Sequence, residues 1–423
     1  MVVGFGLVSL TADMVYEGAR AITGPLLASL GATAAVVGLV SGLGEAVSLL
    51  LRLVSGSWAD RSERYWSWTI AGYAITAISV PALAITPFLG AAGLAVGCLL
   101  IVAERFGKAV RSPAKSVLLA QVSGVVGLGH GFGVHRALDQ LGAFAGPLLV
   151  AAVISLTGAL WSGLAVLAIP GALSILILLL LRRSSRRRAG PSADDESDSD
   201  PGEPGPTSET TTTVAPRTAS LPATFAASPS SSPARLPREF WLFAAAAGAA
   251  TAGLVTFAVI GYHLVDDRVT SPALVPVIYA AAMAAAGIAA LATGFLFDRV
   301  HARVLLVLPF LVAVVPVFAF TDVLPLIMIG VLAWGAANGL QDSTVKALVA
   351  ALVPAPRRGT AYGIFAAIQG GAAVLGGVIV GALYDHSTQH DHSTTALIGY
   401  VAATQLVALV LIIQTLRRQA ATG

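Results

Sequence analysis

Twelve long runs of mostly apolar residues dominate the pattern of hydrophobic and polar positions along the chain. A helix needs about 20 such residues to cross a bilayer. The runs occupy approximately residues 3–30, 33–55, 66–88, 90–106, 131–157, 160–181, 239–264, 272–297, 303–320, 324–345, 358–383 and 395–416. The pattern predicts an all-α integral membrane protein with twelve transmembrane helices.

A long polar stretch divides these predicted helices into two sets of six. Residues 182–237 begin with RRSSRRR, pass through DDESDSD and continue rich in Ser, Thr and Pro. A segment of this composition cannot bury enough apolar surface to fold. We therefore predict an N-terminal six-helix bundle at 1–181, a disordered cytoplasmic linker at 182–237 and a C-terminal six-helix bundle at 238–423.

Two pairs of similar segments indicate that the second bundle repeats the first. The segment VSGSWADRSERY at 54–65 has a looser copy, ATGFLFDRVHAR, at 292–303. An offset of 238 residues aligns Gly56 with Gly294 and Asp60 with Asp298. An offset of 230 aligns 132–154 with 362–384. Six-helix repeats with a binding site at their interface are a known transporter design, so the sequence predicts two pseudo-symmetric bundles and favours transport of a small solute.

Composition and charge support a membrane protein and suggest its orientation. Hydrophobic residues make up 56% of the 423 positions and charged residues only 11%, which is typical of a lipid-embedded protein. Basic residues concentrate in alternate loops of the predicted topology. Cytoplasmic loops of membrane proteins carry an excess of Lys and Arg, so these loops are predicted to be cytoplasmic. These residues are Arg61, Arg64, Arg105, Lys108, Arg111, Lys115, the linker arginines, Arg299, Arg303, Arg357, Arg358, Arg417 and Arg418. We predict a monomer in the inner membrane of a bacterium, with both termini cytoplasmic and no nucleic-acid partner.

Three short motifs resemble those of the major facilitator superfamily. Gly56-x-x-x-Asp60-Arg61, followed by Arg64, resembles the family signature between helices two and three, with Glu63 in place of its usual Gly. Gly142-x-x-x-Gly146-Pro147 in helix five is similar to the antiporter motif of proton-coupled drug exporters, although Val150-Ala151 replaces the closing Gly-Gly. Ile101-x-x-x-Arg105 resembles the exporters' helix-four motif, with Lys108 where Gln is common.

The resemblance covers the whole chain except the linker. The runs DMVYEGAR and ERFGKAVRSPAK also resemble those of uncharacterised bacterial permeases of this superfamily. The resemblance implies the family fold and alternating-access transport, with a proton gradient as energy source and export as the direction. A symporter or uniporter for a small metabolite, or a membrane sensor that binds a ligand without transporting it, are the alternatives.

The two signature segments are predicted to form a conformational latch. Asp60 and Asp298 are expected in cytoplasmic loops just past a helix end. Asp60 would face the N-terminus of helix eleven, where free N–H groups and the helix dipole favour an anion. A solvated turn is the alternative. The predicted latch residues are Gly56, Asp60, Arg61, Arg64, Gly294, Asp298 and Arg299.

Charged residues inside the predicted helices are the candidates for proton coupling. A carboxylate in hydrocarbon must be paired or line a cavity, and one whose surroundings change can bind and release a proton. The candidates are Asp13, Glu17 and Arg20 in helix one, Glu45 in helix two, and His135, Arg136 and Asp139 in helix five. Arg20 is expected to neutralise Glu17, and Arg136 to pair with Asp13 or Glu17. A static ion pair is the alternative for each.

The second bundle offers mainly neutral polar groups, which we expect to shape the solute cavity. They are Asn338, Gln341 and Gln369, together with Asp342. Asp385, His386, His390, Asp391 and His392 are expected in an outer loop, where a flexible polar loop is favoured over a divalent metal site. The chain lacks a phosphate-binding Walker loop, a nucleophile elbow and an HExxH motif. We therefore predict no enzyme activity, cofactor or metal.

Overall fold

The part of the chain that the structure describes folds into helices, without strands. The structure, a computed structural model, describes residues 1–62, 64–123, 128–189, 236–354, 357–390 and 394–422. Twelve segments of these ranges are long and apolar enough to cross a membrane. The predicted all-α fold with two six-helix bundles is confirmed.

Among the described residues of the first half, seven helices make six spans. They are α1 (Val2–Ser29), α2 (Ala34–Ser62), α3 (Tyr65–Ala82), α4 (Gly93–Ser123), α5 (Leu128–Thr157), α6 (Leu160–Ala165) and α7 (Ala168–Ala189). Short 3-10 segments, Leu83–Phe88 and Gly90–Ala92, extend the third and fourth spans. Helices α6 and α7 together form the sixth span.

The second half contains seven further helices in its described ranges. They are α8 (Arg238–Gly253), α9 (Phe257–Asp266), α10 (Val275–Val300), α11 (Leu308–Ala319), α12 (Leu324–Leu352), α13 (Arg358–His390) and α14 (Thr395–Thr422). Helices α8 and α9 are two parts of the seventh span, and a 3-10 segment at His301–Val307 begins the ninth. Met1–Leu181 and Leu236–Gly423 pack as one compact unit.

The fourth helix is longer than its sequence predicted. The apolar run ended at residue 106, but α4 continues to Ser123, so Lys108, Arg111 and Lys115 are helical and do not belong to an inner loop. The helix can continue past residue 106 because polar side chains in this part of it have partners on α3. Arg111 is buried, donates a hydrogen bond to the Thr76 hydroxyl at 2.6 Å and lies over the Tyr73 ring of α3.

Other predicted loops are also helical. Asp60 lies in the last turn of α2, and Asp298 lies in α10, so neither follows a helix end. The arginine-rich beginning of the predicted linker, 182–189, continues α7, where basic residues suit a helix C-terminus. The predicted outer loop at 385–390 is the last part of α13. The rest of the linker, 190–235, and residues 391–393 lie outside the described residues.

Corresponding contacts in the two halves support the duplication. In the first half, a Cβ at Gly146 of α5 would overlap the Met14 carbonyl oxygen of α1. In the second half, a Cβ at Gly376 of α13 would overlap the Ala252 carbonyl oxygen of α8. Gly146 and Gly376 are aligned in the sequence repeat. Each half therefore uses a glycine in its fifth helix to bring its first helix into backbone contact.

The two halves approach each other closely near one face of the membrane. We call the face that holds Val2 the terminal face and the face that holds Ser29 the distal face. Near the distal face, a Cβ at Gly24 of α1 would overlap the Ala258 carbonyl oxygen of α9, and Gly38 and Gly377 place their backbones against each other. One cluster of buried apolar residues joins both halves.

Candidate solute and proton site

An ionic cluster joins α1, α2 and α4 within the membrane-spanning part of the first half. Arg20 donates a hydrogen bond to Glu45 at 3.1 Å. Arg105 lies between two acids, 3.7 Å from Glu45 and 3.5 Å from Glu104. The side chains of Arg105 and Glu104 are only 9% and 7% exposed. Buried charges of this kind persist only when paired, so the cluster fixes the three helices relative to one another.

Tyr16 is the centre of this cluster, and the sequence analysis missed it. Its hydroxyl accepts hydrogen bonds from Arg105 and from Arg20. Its ring also lies beneath the Lys108 ammonium at 3.3 Å and the Arg105 guanidinium at 4.6 Å. Cations are attracted to the face of an aromatic ring, which lets one tyrosine hold three of them. A tyrosine in an apolar helix gives no sequence signal for this role.

Asp13 and Asp139 form a pair of acids between α1 and α5. Their side chains are near enough to interact directly, and Lys108 and Lys115 contribute positive charge around Asp13. Two ionised carboxylates repel each other, whereas a proton between them removes the repulsion. Asp13 lies near the middle of α1, so this exchange of charge would take place inside the membrane.

Arg136 does not occupy the buried position that the sequence predicted. It binds Asp139 within α5 at 2.8 Å, and its side chain is 66% exposed. It therefore pairs with neither Asp13 nor Glu17 in the described ion pairs. A residue three positions earlier on the same helix reaches Asp139 easily, and the long side chain keeps its charged end at the surface.

His135 lies in a polar chain that reaches toward the terminal face. Its ring is buried and lies 2.8 Å from the Ser9 hydroxyl of α1. Lys115 of α4 donates to the same hydroxyl at 3.1 Å. The sequence identified His135 but gave no reason to select Ser9. The three residues join α1, α4 and α5 on the terminal side of the acid pair.

Glu17 makes one of the polar contacts between the first half and the second half. Its carboxylate accepts a hydrogen bond from the buried Tyr279 hydroxyl of α10. The ion pair described for Arg20 is with Glu45 of α2 and not with Glu17, the predicted partner. Glu17 thus connects the charged half to the mostly neutral one.

The neutral polar residues of the second half converge on Thr251 of α8. Gln341 of α12 and Gln369 of α13 each donate an amide hydrogen bond to its hydroxyl, at 3.2 and 3.4 Å. Asn338 instead donates to the Trp334 carbonyl of its own helix. The side chain of Asp342 lies outside the described part of the chain. Two predicted cavity residues are therefore brought together by a threonine that the sequence did not indicate.

The helix that carries Thr251 is interrupted in mid-membrane. Residues 254–256 separate α8 from α9 and are not helical. Side chains bind the carbonyl groups beside the break: Trp334 donates to Val255, Tyr400 to Ala252 and Gln405 to Ala250, at 2.7–3.3 Å. Non-helical backbone is tolerated at membrane depth only with such partners, and broken helices commonly line the solute sites of transporters.

Comparison with known proteins gives the family of the chain. The sequence profile described as Major Facilitator Superfamily matches residues 5–265 and 241–421. The chain belongs to this superfamily. An uncharacterised protein of Mycobacterium tuberculosis H37Rv is 47% identical over 408 residues, which cover 96% of this chain and 90% of the relative. An uncharacterised MFS-type transporter of Methanocaldococcus jannaschii is 30% identical over 145 residues, 34% of this chain and 35% of the relative.

Solved structures of superfamily transporters share the fold. A mutant form of the nucleoside transporter NupG superimposes with a TM-score of 0.69 at 15% identity, covering 98% of this chain and 99% of that one. A POT family transporter in complex with a thioalcohol-conjugated peptide gives 0.68 at 10% identity, covering 99% and 96%. A bacterial homologue of the iron transporter ferroportin gives 0.64 at 12% identity, covering 98% of both chains.

The superfamily signature residues lie near the terminal face, and the described contacts do not join either copy to the opposite half. Asp60 accepts a hydrogen bond at 3.1 Å from Tyr65 at the beginning of α3. Arg61, Arg64 and Arg299 are exposed. Gly56 has room for a methyl group, since its nearest neighbour would be Pro113 of α4 at 3.7 Å. Gly294 has open space around it, and the Asp298 side chain lies outside the described part.

The glycines of the helix-five motif have a clear steric role. A Cβ at Gly142 would overlap the Leu10 carbonyl oxygen of α1, as one at Gly146 would overlap that of Met14. Pro147 follows inside α5. These glycines therefore keep α1 against α5, and this contact brings Asp13 beside Asp139.

Proposed function

We propose that the protein is a proton-coupled secondary transporter that moves a small solute by alternating access, with export as its direction. Membership of the superfamily and the twelve-span fold support transport of a solute. The coupling proposal depends mainly on the Asp13–Asp139 pair between α1 and α5. Helix α1 contacts both α9 and α10 of the second half, whereas α5 contacts α10. A proton bound there changes the charge that faces the cavity.

The solute site of this proposal lies between the ionic cluster and the Thr251 group. Arg105, Glu17 and Lys108 offer charged groups from the first half, and Gln341 and Gln369 offer amides from the second. Movement of one half against the other would break the Glu17–Tyr279 hydrogen bond and change the surroundings of Asp13. The similar structures are transporters of nucleosides, peptides and iron by their descriptions, and this variety assigns no solute to this chain.

The coupling proposal is tested by neutralising each acid. A thermal-shift screen of the purified protein against metabolites and antibiotics first supplies a solute that binds. In proteoliposomes, Asp13→Asn or Asp139→Asn is expected to reduce pH-driven accumulation to the level seen without a gradient, while solute exchange at equal pH continues. Solute exchange at equal pH requires no net proton movement, so a carboxylate that serves only to carry protons is not required for it.

Asp322→Asn provides the matched control, since Asp322 is exposed in the loop between α11 and α12. It should leave both fluxes unchanged. Full pH-driven transport in both Asp13→Asn and Asp139→Asn would contradict coupling through the pair. If protons and solute instead move across the membrane in the same direction, the protein is a symporter, and this result would contradict export.

The orientation forms a separate part of the proposal. We propose that the terminal face is cytoplasmic, in the inner membrane of a bacterium, because Arg61, Arg64 and Arg299 gather there. In a Cys98→Ser background, single cysteines at Ser192 and Ser393 are expected to react with an impermeant maleimide from opposite sides of the membrane, Ser393 in intact cells and Ser192 only after lysis. Reaction of both in intact cells would contradict the twelve-span topology.

A further inference from the structure

The carboxylate of Asp385 binds the N-terminus of α2 across the interface between the two halves. Its two oxygens accept hydrogen bonds from the backbone N–H groups of Ala34 and Ala35, each at 2.8 Å. Thr33 accepts from the Val36 N–H at 3.4 Å. The first turn of a helix leaves such N–H groups without partners, and the helix dipole favours a negative charge there. Asp385 thus completes a cap that α2 cannot supply itself.

A hydrogen-bond network holds the neighbourhood of Asp385 rigidly within the second half. The adjacent Tyr384 donates to the Asp267 carboxylate at 2.7 Å. His263 lies 2.7 Å from the same carboxylate, 3.1 Å from the Tyr384 hydroxyl and 3.3 Å from the Thr321 carbonyl oxygen. The end of α9, the loop after α11 and the end of α13 are therefore joined. Asp385 moves with the second half, whereas Ala34 and Ala35 move with the first.

The cap requires α2 and α13 to be in backbone contact. A Cβ at Gly38 would overlap the Gly377 carbonyl oxygen, and one at Gly381 would overlap that of Ala34. Gly381 lies one turn before Asp385. Any separation of the halves at the distal face lengthens the two 2.8 Å hydrogen bonds beyond their useful range. They can exist only when this face is closed.

We propose that Asp385 is a distal latch, which holds the distal face closed and so sets the balance between the two conformations of the transporter. Helices α2 and α13 are antiparallel, and each has an aspartate near its last turns, Asp60 and Asp385. Asp385 holds the N-terminus of the opposite helix, whereas the hydrogen bond described for Asp60 comes from Tyr65 in its own half. Release of Asp385 frees the same helix pair to close at its other end. The latch is independent of which solute is carried and of proton coupling.

Cysteine accessibility tests the latch on the full chain in detergent. Val37, one turn from the cap, is fully buried, so Val37→Cys in a Cys98→Ser background should react slowly with a hydrophilic maleimide. Adding Asp385→Asn is expected to speed the reaction about tenfold, which corresponds to about 1.4 kcal/mol. The asparagine amide offers one acceptor oxygen where the carboxylate offers two, and it carries no negative charge for the helix dipole. Asp322→Asn, the matched control, should leave the rate unchanged. An unchanged rate in Asp385→Asn would overturn the proposal.

A distance measurement separates opening of the whole face from fraying of α2. Spin labels at Ser62 and Thr360, both exposed near the terminal face, report the separation of the other ends of α2 and α13. Asp385→Asn is expected to raise the population of the shorter distance. Faster labelling of Val37→Cys with an unchanged distance distribution would mean local fraying and would contradict a latch.

A second variant alters the donor and leaves Asp385 intact. Ala35→Pro removes one of the two N–H groups, and proline is tolerated in the first turn of a helix. It should shift both measurements in the same direction as Asp385→Asn. It also keeps the test decisive if Asp385→Asn does not fold. A folded Ala35→Pro protein with the parent labelling rate and distances would overturn the latch.

Discussion

Arg105→Ala is expected to destabilise the folded protein by about 3–5 kcal/mol, the usual result of removing one partner of a buried ion pair. The guanidinium lies beside Glu104 and Glu45 and binds the Tyr16 hydroxyl. Without it, Glu104 and Glu45 lose the cation that lies between them, in surroundings that solvate charge poorly. The measurement is the free energy of unfolding in mixed micelles, followed by intrinsic fluorescence.

Two further variants identify the cause of this loss. Glu104→Gln combined with Arg105→Gln removes both charges and should recover much of the stability, because the penalty comes from an unmatched charge. Arg105→Lys keeps the charge but lacks the planar fork of the guanidinium, so we expect an intermediate value. A loss below about 1 kcal/mol in Arg105→Ala would indicate a solvated pair and contradict the buried cluster.

Gly142→Ala is expected to cost about 1–3 kcal/mol, the range for adding a group to a filled interior. The new methyl group would meet the Leu10 carbonyl oxygen, and a backbone atom cannot rotate away as a side chain can. Helices α1 and α5 would have to separate, which also moves Asp13 from Asp139. The loss should appear in the same unfolding measurement.

Gly294→Ala is the matched comparison, because it makes the same chemical change in a helix with no neighbouring atom within 4 Å. Alanine favours a helix over glycine by up to about 1 kcal/mol, so this variant should be neutral or more stable. Equal behaviour of the two variants would show that α1 and α5 are not in backbone contact at Gly142.

The architecture was predictable because it depends on local chemistry. Long apolar runs specify spans, the polar stretch separates the halves, and the Gly146–Gly376 alignment reappears as equivalent helix contacts. The limits of α4 were not predictable in the same way. From the sequence, Arg111 is expected in a loop, because its partners Thr76 and Tyr73 of α3 become apparent only in the structure.

The identity of the charged residues was predictable, but their partners were not. Spacing places Arg20 one turn from Glu17, yet the long side chain extends to Glu45 of the next helix. The rotation of each helix about its axis decides such choices, and helices that are apolar on all sides do not reveal it. The contact between Asp385 and Ala35 was harder still to predict from the sequence, because 350 residues separate the two. The repeat also gives no indication of it, since it aligns Asp385 with Ser155, which is not an acid.

The charges on α4 have a consequence for how the protein enters the membrane during synthesis. Glu104, Arg105, Lys108, Arg111 and Lys115 all lie within this one helix. Each Arg or Lys near a helix centre opposes insertion by about 2.5–3.5 kcal/mol, so α4 alone is a poor substrate for the translocon. Tyr16, Glu45 and Thr76, which bind these charges, are translated earlier. The fourth span is therefore stable in lipid only after the first three have assembled to receive it.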